Sequence, residues 1–230
     1  MNLNLLLDRL IPDPETCRAA ADSLRQEHPD LSAIELAHRA IRSAKVRAAS
    51  AGAATGAASN PITMIPAALA DMATVLKIEG TLIGVVAALL SPETLDDPQA
   101  LRADVMAVVF PAAASQVLRQ VGIRAGEKLS QAVMRKYMTE DLLRTITRLA
   151  GAYIGKQVTR EAIVAKAIPL VGIGIGAGWN RLEVQAVAGR AITYFSDEAI
   201  GPASTATARF ASVKKFLPKM SRFLPERPKP

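Results

Sequence analysis

The segment KAIPLVGIGIGAGWN, residues 166–180, has a glycine at every second position in its second half. Glycine inside a helix costs roughly 1 kcal/mol relative to alanine, because it loses more conformational freedom. Four glycines within seven residues therefore need a compensating cause, such as close backbone packing, a turn or a ligand at the backbone. We expect a helix pair, 163–179 against 181–195, with Asn180 as a cap or turn between them.

Glycines recur at a spacing of four throughout the chain, and 12 of the 14 belong to such pairs. Residues i and i+4 share one helix face, so each pair leaves a groove where another backbone can approach. The pair Gly122/Gly126 is an exception, because VGIRAG is typical of a turn between helices. The other pairs predict close helix packing, either in a compact bundle or against lipid, at Gly52, Gly56, Gly80, Gly84, Gly151, Gly155, Gly172, Gly174, Gly176 and Gly178.

The fold class follows from helical spacing of apolar residues, which dominates the sequence. Half of the 230 residues are hydrophobic but only 4% are aromatic, so closely packed helices rather than large side chains must stabilise the core. We predict an all-α compact multi-helix bundle with Gly/Ala-rich helices. It would comprise an N-terminal helical segment 1–27, a helical domain 28–200 and a basic amphipathic or flexible tail 201–230.

Prolines and capping residues indicate where the helices begin. Pro14 starts a helix to about Gln26, and Ser32 with Glu35 forms a capping box for the next. Further helices are predicted over 62–90, 101–121, 125–137 and 140–154. Pro111 should kink one of them, and Thr159 should cap the segment that leads to Lys166.

The net charge of +7 is unevenly distributed. Residues 1–100 hold 8 basic and 12 acidic side chains, whereas residues 209–230 hold seven basic side chains and one acidic. Aromatic and basic residues alternate there at helical spacing, typical of a basic amphipathic helix on an anionic membrane surface. The alternative is a mobile tail whose charges stay in water. The tail residues are Phe210, Lys214, Lys215, Phe216, Lys219, Arg222 and Phe223.

Nucleic acid is not the expected partner of this tail, because no nucleic-acid-binding fold accompanies its three phenylalanines. A membrane span needs about 20 mostly apolar residues, and charges or prolines interrupt every run of that length. We therefore expect no single-pass anchor, which leaves interfacial or re-entrant association with a membrane.

A candidate polar patch consists of Asp71, Glu79 and Asn180. Asp71 and Glu79 lie eight residues apart in an apolar helix, where charged groups are costly unless they are paired or solvated. One interpretation is a half-buried helix whose carboxylates are solvated or paired with an arginine such as Arg119 or Arg124. The other is a polar patch that lines a cavity or a partner groove.

Catalytic, cofactor and metal sites are not predicted. Residues 172–177 formally fit a dinucleotide loop, but that loop follows a strand and Pro169 interrupts the place where the strand would be. His28 and His38 have no partners at metal-ligand spacing, and Cys17 is the only cysteine. An enzymatic role is therefore not expected.

Three segments together resemble the EcsC family of bacterial proteins: 28–56, 65–90 and KAIPLVGIGIGAGWN followed by VAGRAITYF at 187–195. The resemblance covers roughly 28–196. It implies a helical fold and a connection with an ABC transporter, but no catalytic residues. The basic tail lies outside it.

These features predict a non-enzymatic bacterial protein, cytoplasmic and peripheral to the inner membrane, whose partner is lipid or a membrane protein such as an ABC transporter. The alternative is a soluble helical module with an apolar pocket that binds a lipid-like ligand or supports hydrolysis. Asp71 and Glu79 would lie inside that pocket.

Overall fold

The structure is a computed structural model that describes residues 7, 9–56, 61–122, 129–167 and 172–196. Over these ranges the fold is all-helical, as predicted. The tail at 201–230 lies outside them. In chain order the helices are α1 Pro14–Glu27, α2 Ala33–Gly56, α3 Pro61–Leu90, a 3-10 helix Pro92–Asp96, α4 Pro98–Val109, α5 Pro111–Gln120, α6 Gln131–Tyr137, α7 Glu140–Ala167 and α8 Gly172–Phe195.

The first helices begin where the sequence predicts. Asp13 precedes Pro14 and accepts the Thr16 N–H at 2.9 Å. The capping box is confirmed: the Ser32 N–H donates to Glu35 Oε2 at 2.9 Å, and the Glu35 N–H donates to Ser32 Oγ at 3.3 Å. These bonds satisfy amide groups that have no partner within a first helical turn.

Pro111 separates two helices, where the sequence predicts one kinked helix. α4 ends at Val109, α5 begins at Pro111, and their axes differ by 111°. A proline lacks an N–H and its ring clashes with the preceding turn, so the helix cannot continue through it. Arg190 Nε of α8 donates to the Val108 carbonyl at 2.8 Å, which satisfies an acceptor in the last turn of α4.

Three predicted boundaries are wrong. α7 runs to Ala167, so Thr159 lies inside a helix and not at the start of one. α8 is one helix that passes through Asn180, so the expected turn between 163–179 and 181–195 does not exist. α6 starts at Gln131 rather than 125, because Ser130 Oγ accepts the Val133 N–H and caps the helix there.

The apolar half of α3 lies at the centre of the core. Every residue from Leu82 to Leu89 is buried, and α1, α2, α4, α7 and α8 all pack against this helix. α2 and α8 run antiparallel, because Lys45 donates to Gln185 whereas Asn180 donates to the carbonyl of Ala48. The buried face of α4 joins α3 in the core, since Ala103–Phe110 are all buried.

Two of the paired glycines lie at a close helix contact. A Cβ on Gly80 would overlap the carbonyl oxygen of Leu10. A Cβ on Gly84 would overlap the sulfur of Cys17 and lie 2.9 Å from Pro12 Cγ. The absence of side chains at Gly80 and Gly84 therefore lets the chain over residues 10–17 pack directly against the backbone of α3.

The other glycines differ in their surroundings. Gly52 and Gly151 are buried in α2 and α7, while the surroundings of Gly56, Gly155, Gly172, Gly174 and Gly176 lie outside the described part. Gly178 is exposed and a Cβ there would meet nothing within 4 Å, so close packing at this glycine is not found. Gly122 has a φ of +85° after α5, which fits the turn predicted for it.

Gly80→Ala tests the close contact with Leu10. The added methyl group must push a backbone carbonyl away, so we expect the free energy of unfolding to fall by about 1–3 kcal/mol. Gly189→Ala in α8 is the matched control, because its Cβ would meet nothing within 4 Å. Alanine's helix propensity should stabilise that variant by up to about 1 kcal/mol. Urea denaturation of both variants checks the prediction, and equal effects would contradict it.

Candidate functional site

Asp71 and Asn180, two members of the predicted polar patch, are hydrogen-bonded to each other. Asn180 Nδ2 lies 3.1 Å from each carboxylate oxygen of Asp71 and 3.3 Å from the carbonyl oxygen of Ala48. Asn180 is buried and Asp71 is half-buried. One amide group therefore links α2, α3 and α8, from a position inside the continuous helix α8.

Glu79, the third member, is separated from this contact. It lies eight residues further along α3, about 12 Å at 1.5 Å per residue, and only 1% of it is exposed. Asp71 thus belongs to the contact with α8, whereas Glu79 lies in the core. The structure does not bring the three residues into one patch.

A second buried polar cluster, centred on Asp104 of α4, was not predicted. Tyr194 Oη of α8 donates to Asp104 Oδ1 at 2.6 Å, and Gln131 Nε2 of α6 donates to Asp104 Oδ2 at 3.1 Å. Gln131 Nε2 also donates to Thr94 Oγ1 at 2.6 Å. Both carboxylate oxygens therefore have neutral donors, and the cluster joins the 3-10 helix, α4, α6 and α8.

The cluster extends from the core to the surface through the 3-10 helix. Arg135 Nη2 donates to Thr94 Oγ1 at 2.9 Å and lies 3.9 Å from Glu93 Oε1. Ser91 Oγ donates to Glu93 Oε1 at 2.6 Å. The side chains of Arg135 and Glu93 are 40% and 59% exposed, so the charged end of the cluster meets water while Asp104 does not.

Burial dominates the protonation of this cluster. It raises the pKa of Asp104 to about 6, although the hydrogen bonds from Tyr194 and Gln131 act in the opposite direction. Burial, followed by the neighbouring Asp104 charge, also raises the pKa of Tyr194 well above its ordinary value. Tyr194 consequently stays a neutral donor at physiological pH, and Asp104 is the group that can exchange a proton near neutrality.

The sequence carries one signal for Asp104. It is the only charged residue between Arg102 and Arg119, so it is a lone carboxylate in an apolar helix, like Asp71 and Glu79. Its partners Gln131 and Tyr194 are 27 and 90 residues away. Helical spacing alone does not indicate that these residues meet.

Cys17 and groups of metal-binding side chains are the other features of the described residues that could support chemistry. Cys17 is buried, and burial raises the pKa of its thiol to about 11, so it is a poor nucleophile. Over the part of the chain that the structure describes, no three His, Cys, Asp or Glu side chains form a group that could hold a metal ion.

One described helix is long and apolar enough to cross a membrane. It is Leu69–Leu90, 22 residues of α3, and 72% of its apolar stretch is buried inside the fold. Asp71, Lys77 and Glu79 interrupt this run, as expected from the sequence, but the helix stays apolar on average. α4 and α5 reach the same length only as a pair bent by 111°.

Asp104→Asn tests the buried charge. The folded pKa of about 6 exceeds the ordinary value of 3.8, so between these two pH values the folded protein keeps a proton that the unfolded chain releases. The contribution to stability is therefore present below pH 3.8 and is lost as the pH rises through 6. Relative to Asp104→Asn, we expect the wild-type free energy of unfolding to fall by about 2 kcal/mol between pH 4 and pH 7.

Urea denaturation of both proteins across that pH range measures this difference. Subtracting the variant's free energy of unfolding from that of the wild type at each pH removes the contributions of all other titrating groups. A difference that does not change with pH would show that Asp104 is not the group with the raised pKa.

Asn180→Leu tests the contact between α2, α3 and α8. The change leaves the Asp71 carboxylate without this donor, so we expect a loss of about 1–3 kcal/mol of stability. Gln185→Leu is the matched control, because its amide on the same helix contacts Lys45 at the exposed surface. Its effect should stay within about 0.5 kcal/mol, and losses of equal size in thermal or urea denaturation would contradict the prediction.

Comparison with known proteins adds no relative to this description. No family model, no curated protein and no solved structure matches the chain.

Proposed function

We propose that this protein is a non-enzymatic helical protein that associates with the cytoplasmic face of a bacterial membrane. It acts there through lipid or through a membrane-protein partner, such as the ABC transporter that the EcsC resemblance implies. The observation that carries the proposal is the apolar helix α3, of which Leu69–Leu90 is long enough to span a membrane. The glycines at Gly80 and Gly84 give this helix a flat face, against which residues 10–17 of the same chain pack closely.

The basic tail provides a second, independent contribution. Residues 209–230 carry seven basic side chains, and each Lys or Arg near an anionic surface contributes about 1 kcal/mol of attraction. Three phenylalanines lie between the cations and can enter the boundary between headgroups and acyl chains. The tail would bring the protein to the surface, and the apolar contacts would hold it there when salt screens the charges.

The burial of α3 favours a second candidate function. Because 72% of the span-length window is covered by the fold, α3 is also suited to be the core helix of a soluble module that binds a lipid-like ligand. Native mass spectrometry of the purified protein distinguishes the two functions. A bound lipid together with complete recovery in the high-speed supernatant would favour the soluble module.

The membrane proposal predicts a salt-dependent interaction with anionic vesicles. We expect the full chain to sediment with vesicles of phosphatidylglycerol and phosphatidylethanolamine but not with vesicles of phosphatidylcholine alone. Changing Lys214, Lys215, Lys219 and Arg222 to Gln removes four charges, which should weaken binding at least tenfold in low salt. A wild-type protein that ignores anionic vesicles and stays in the supernatant after cell fractionation would contradict the proposal.

Replacing Phe210, Phe216 and Phe223 with Ser is the matched control for this experiment. It keeps every charge, so the initial salt-sensitive binding should persist while the fraction that resists high salt decreases. If the two variants behave alike, the tail does not combine electrostatic attraction with apolar insertion.

A further inference from the structure

Residues 10–27, which we call the N-terminal cover, lie on the Gly80/Gly84 face of α3. We propose that this cover can detach, and that the face contacts acyl chains only after it has done so. The inference rests on the proposed function, because it specifies how a buried helix reaches a membrane. It concerns the described residues of α1 and α3 only.

The cover lies on the one face of α3 that its glycines leave flat. The Leu10 carbonyl lies against Gly80, and Cys17 and Pro12 lie against Gly84. α1 packs mainly on α3, whereas α2, α4 and α8 also pack on one another or on further helices. The cover can therefore leave α3 without separating the other helices of the core.

The helical part of the cover has few fully buried side chains, although Ile11, Ala20 and Leu24 are partly buried against the core. Within α1 only Cys17 and Ala21 are buried, and both are small. Leu7, Leu10 and Pro12 are the described buried residues that precede the helix. The polar contacts are an exposed ion pair between Arg18 and Asp96, a hydrogen bond from Arg25 to the Ala88 carbonyl and a weak one from the Cys17 thiol to the Thr81 carbonyl. Exposed ion pairs contribute little to stability, so α1 is among the less firmly held helices.

Lipid would open the cover by population shift. Acyl chains can bind the Gly80/Gly84 face only in the uncovered state, so a bilayer stabilises that state in proportion to its affinity for it. In the absence of a membrane the cover shields the most apolar helix of the chain from water. This arrangement permits a span-length helix to exist in a protein that is not inserted.

A disulfide across the contact tests the cover directly. A Cβ at residue 84 would lie 3.3 Å from Cys17 Cβ, close to the separation of about 3.5–4.5 Å found in disulfides. Gly84→Cys therefore places a second thiol beside the single native one, and oxidation would fix α1 to α3. The same protein can be compared in its oxidised and reduced forms.

The measured quantity is the fraction bound to phosphatidylglycerol-containing vesicles that resists 0.5 M NaCl, since the tail accounts for the salt-sensitive fraction. We expect oxidation to lower the salt-resistant fraction at least tenfold and dithiothreitol to restore it. Gly84→Cys combined with Cys17→Ser is the matched control, because it cannot form the bond and should ignore the oxidant. Equal salt-resistant binding by the oxidised and reduced forms would overturn the cover and leave the proposed function intact. Absence of vesicle binding by the wild type would overturn both.

A second variant keeps the proposal testable if the disulfide does not form. Gly80→Ala pushes the Leu10 carbonyl away from α3 and should raise the salt-resistant fraction at least threefold, whereas Gly189→Ala should not change it. Unchanged binding by Gly80→Ala, in a protein whose circular dichroism shows a folded helical chain, would overturn the cover.

Discussion

The fold depends on covering α3. A 30-residue helix whose only charged residues are Asp71, Lys77 and Glu79 is costly to leave in water, because each buried aliphatic side chain contributes roughly 1.5–3 kcal/mol relative to an exposed one. The chain has few aromatic residues to cover it with. It uses helix backbones at short distance instead, and the contact of the Leu10 carbonyl with Gly80 is the clearest example.

Close packing without large side chains leaves helix register weakly defined, and buried polar groups restore it. Asn180 reaches both Asp71 and the Ala48 carbonyl, which fixes α8 against α2 and α3. Asp104 does the same for α4, α6 and α8 through Gln131 and Tyr194. Sliding α8 or α4 by one turn would break these bonds and leave polar groups buried without partners. The two clusters therefore select one packing among several that apolar contacts alone would allow.

Local signals in the sequence predicted much of the fold. The all-helical class, the capping box at Ser32 and the break at Pro111 all depend on neighbouring residues, and the structure has each of them. Asn180 and Thr159 were wrongly assigned as boundaries, because an amide or hydroxyl that favours a cap can equally lie inside a helix. For Asn180 the partner that decides between these roles, Asp71, lies 109 residues away in the chain.

The candidate sites were harder to predict for the same reason. Asp104 differs from other carboxylates only through its burial and its contacts with Gln131 and Tyr194, and these depend on how four elements pack. Glycine pairs likewise look alike in the sequence. Gly80 meets the Leu10 backbone and Gly84 meets the side chains of Pro12 and Cys17. Gly178 faces open space, and only the tertiary arrangement distinguishes it from the other two.

The position of Cys17 makes its thiol a probe of how often α1 detaches from α3. It is the single thiol of the chain and is buried against Gly84, so a thiol reagent reaches it only while α1 is away from α3. Its labelling rate is then the product of the intrinsic reaction rate and the fraction of time that α1 spends detached, provided that reclosing is fast. The unmodified chain thus carries its own reporter of how often its most apolar helix is exposed to water.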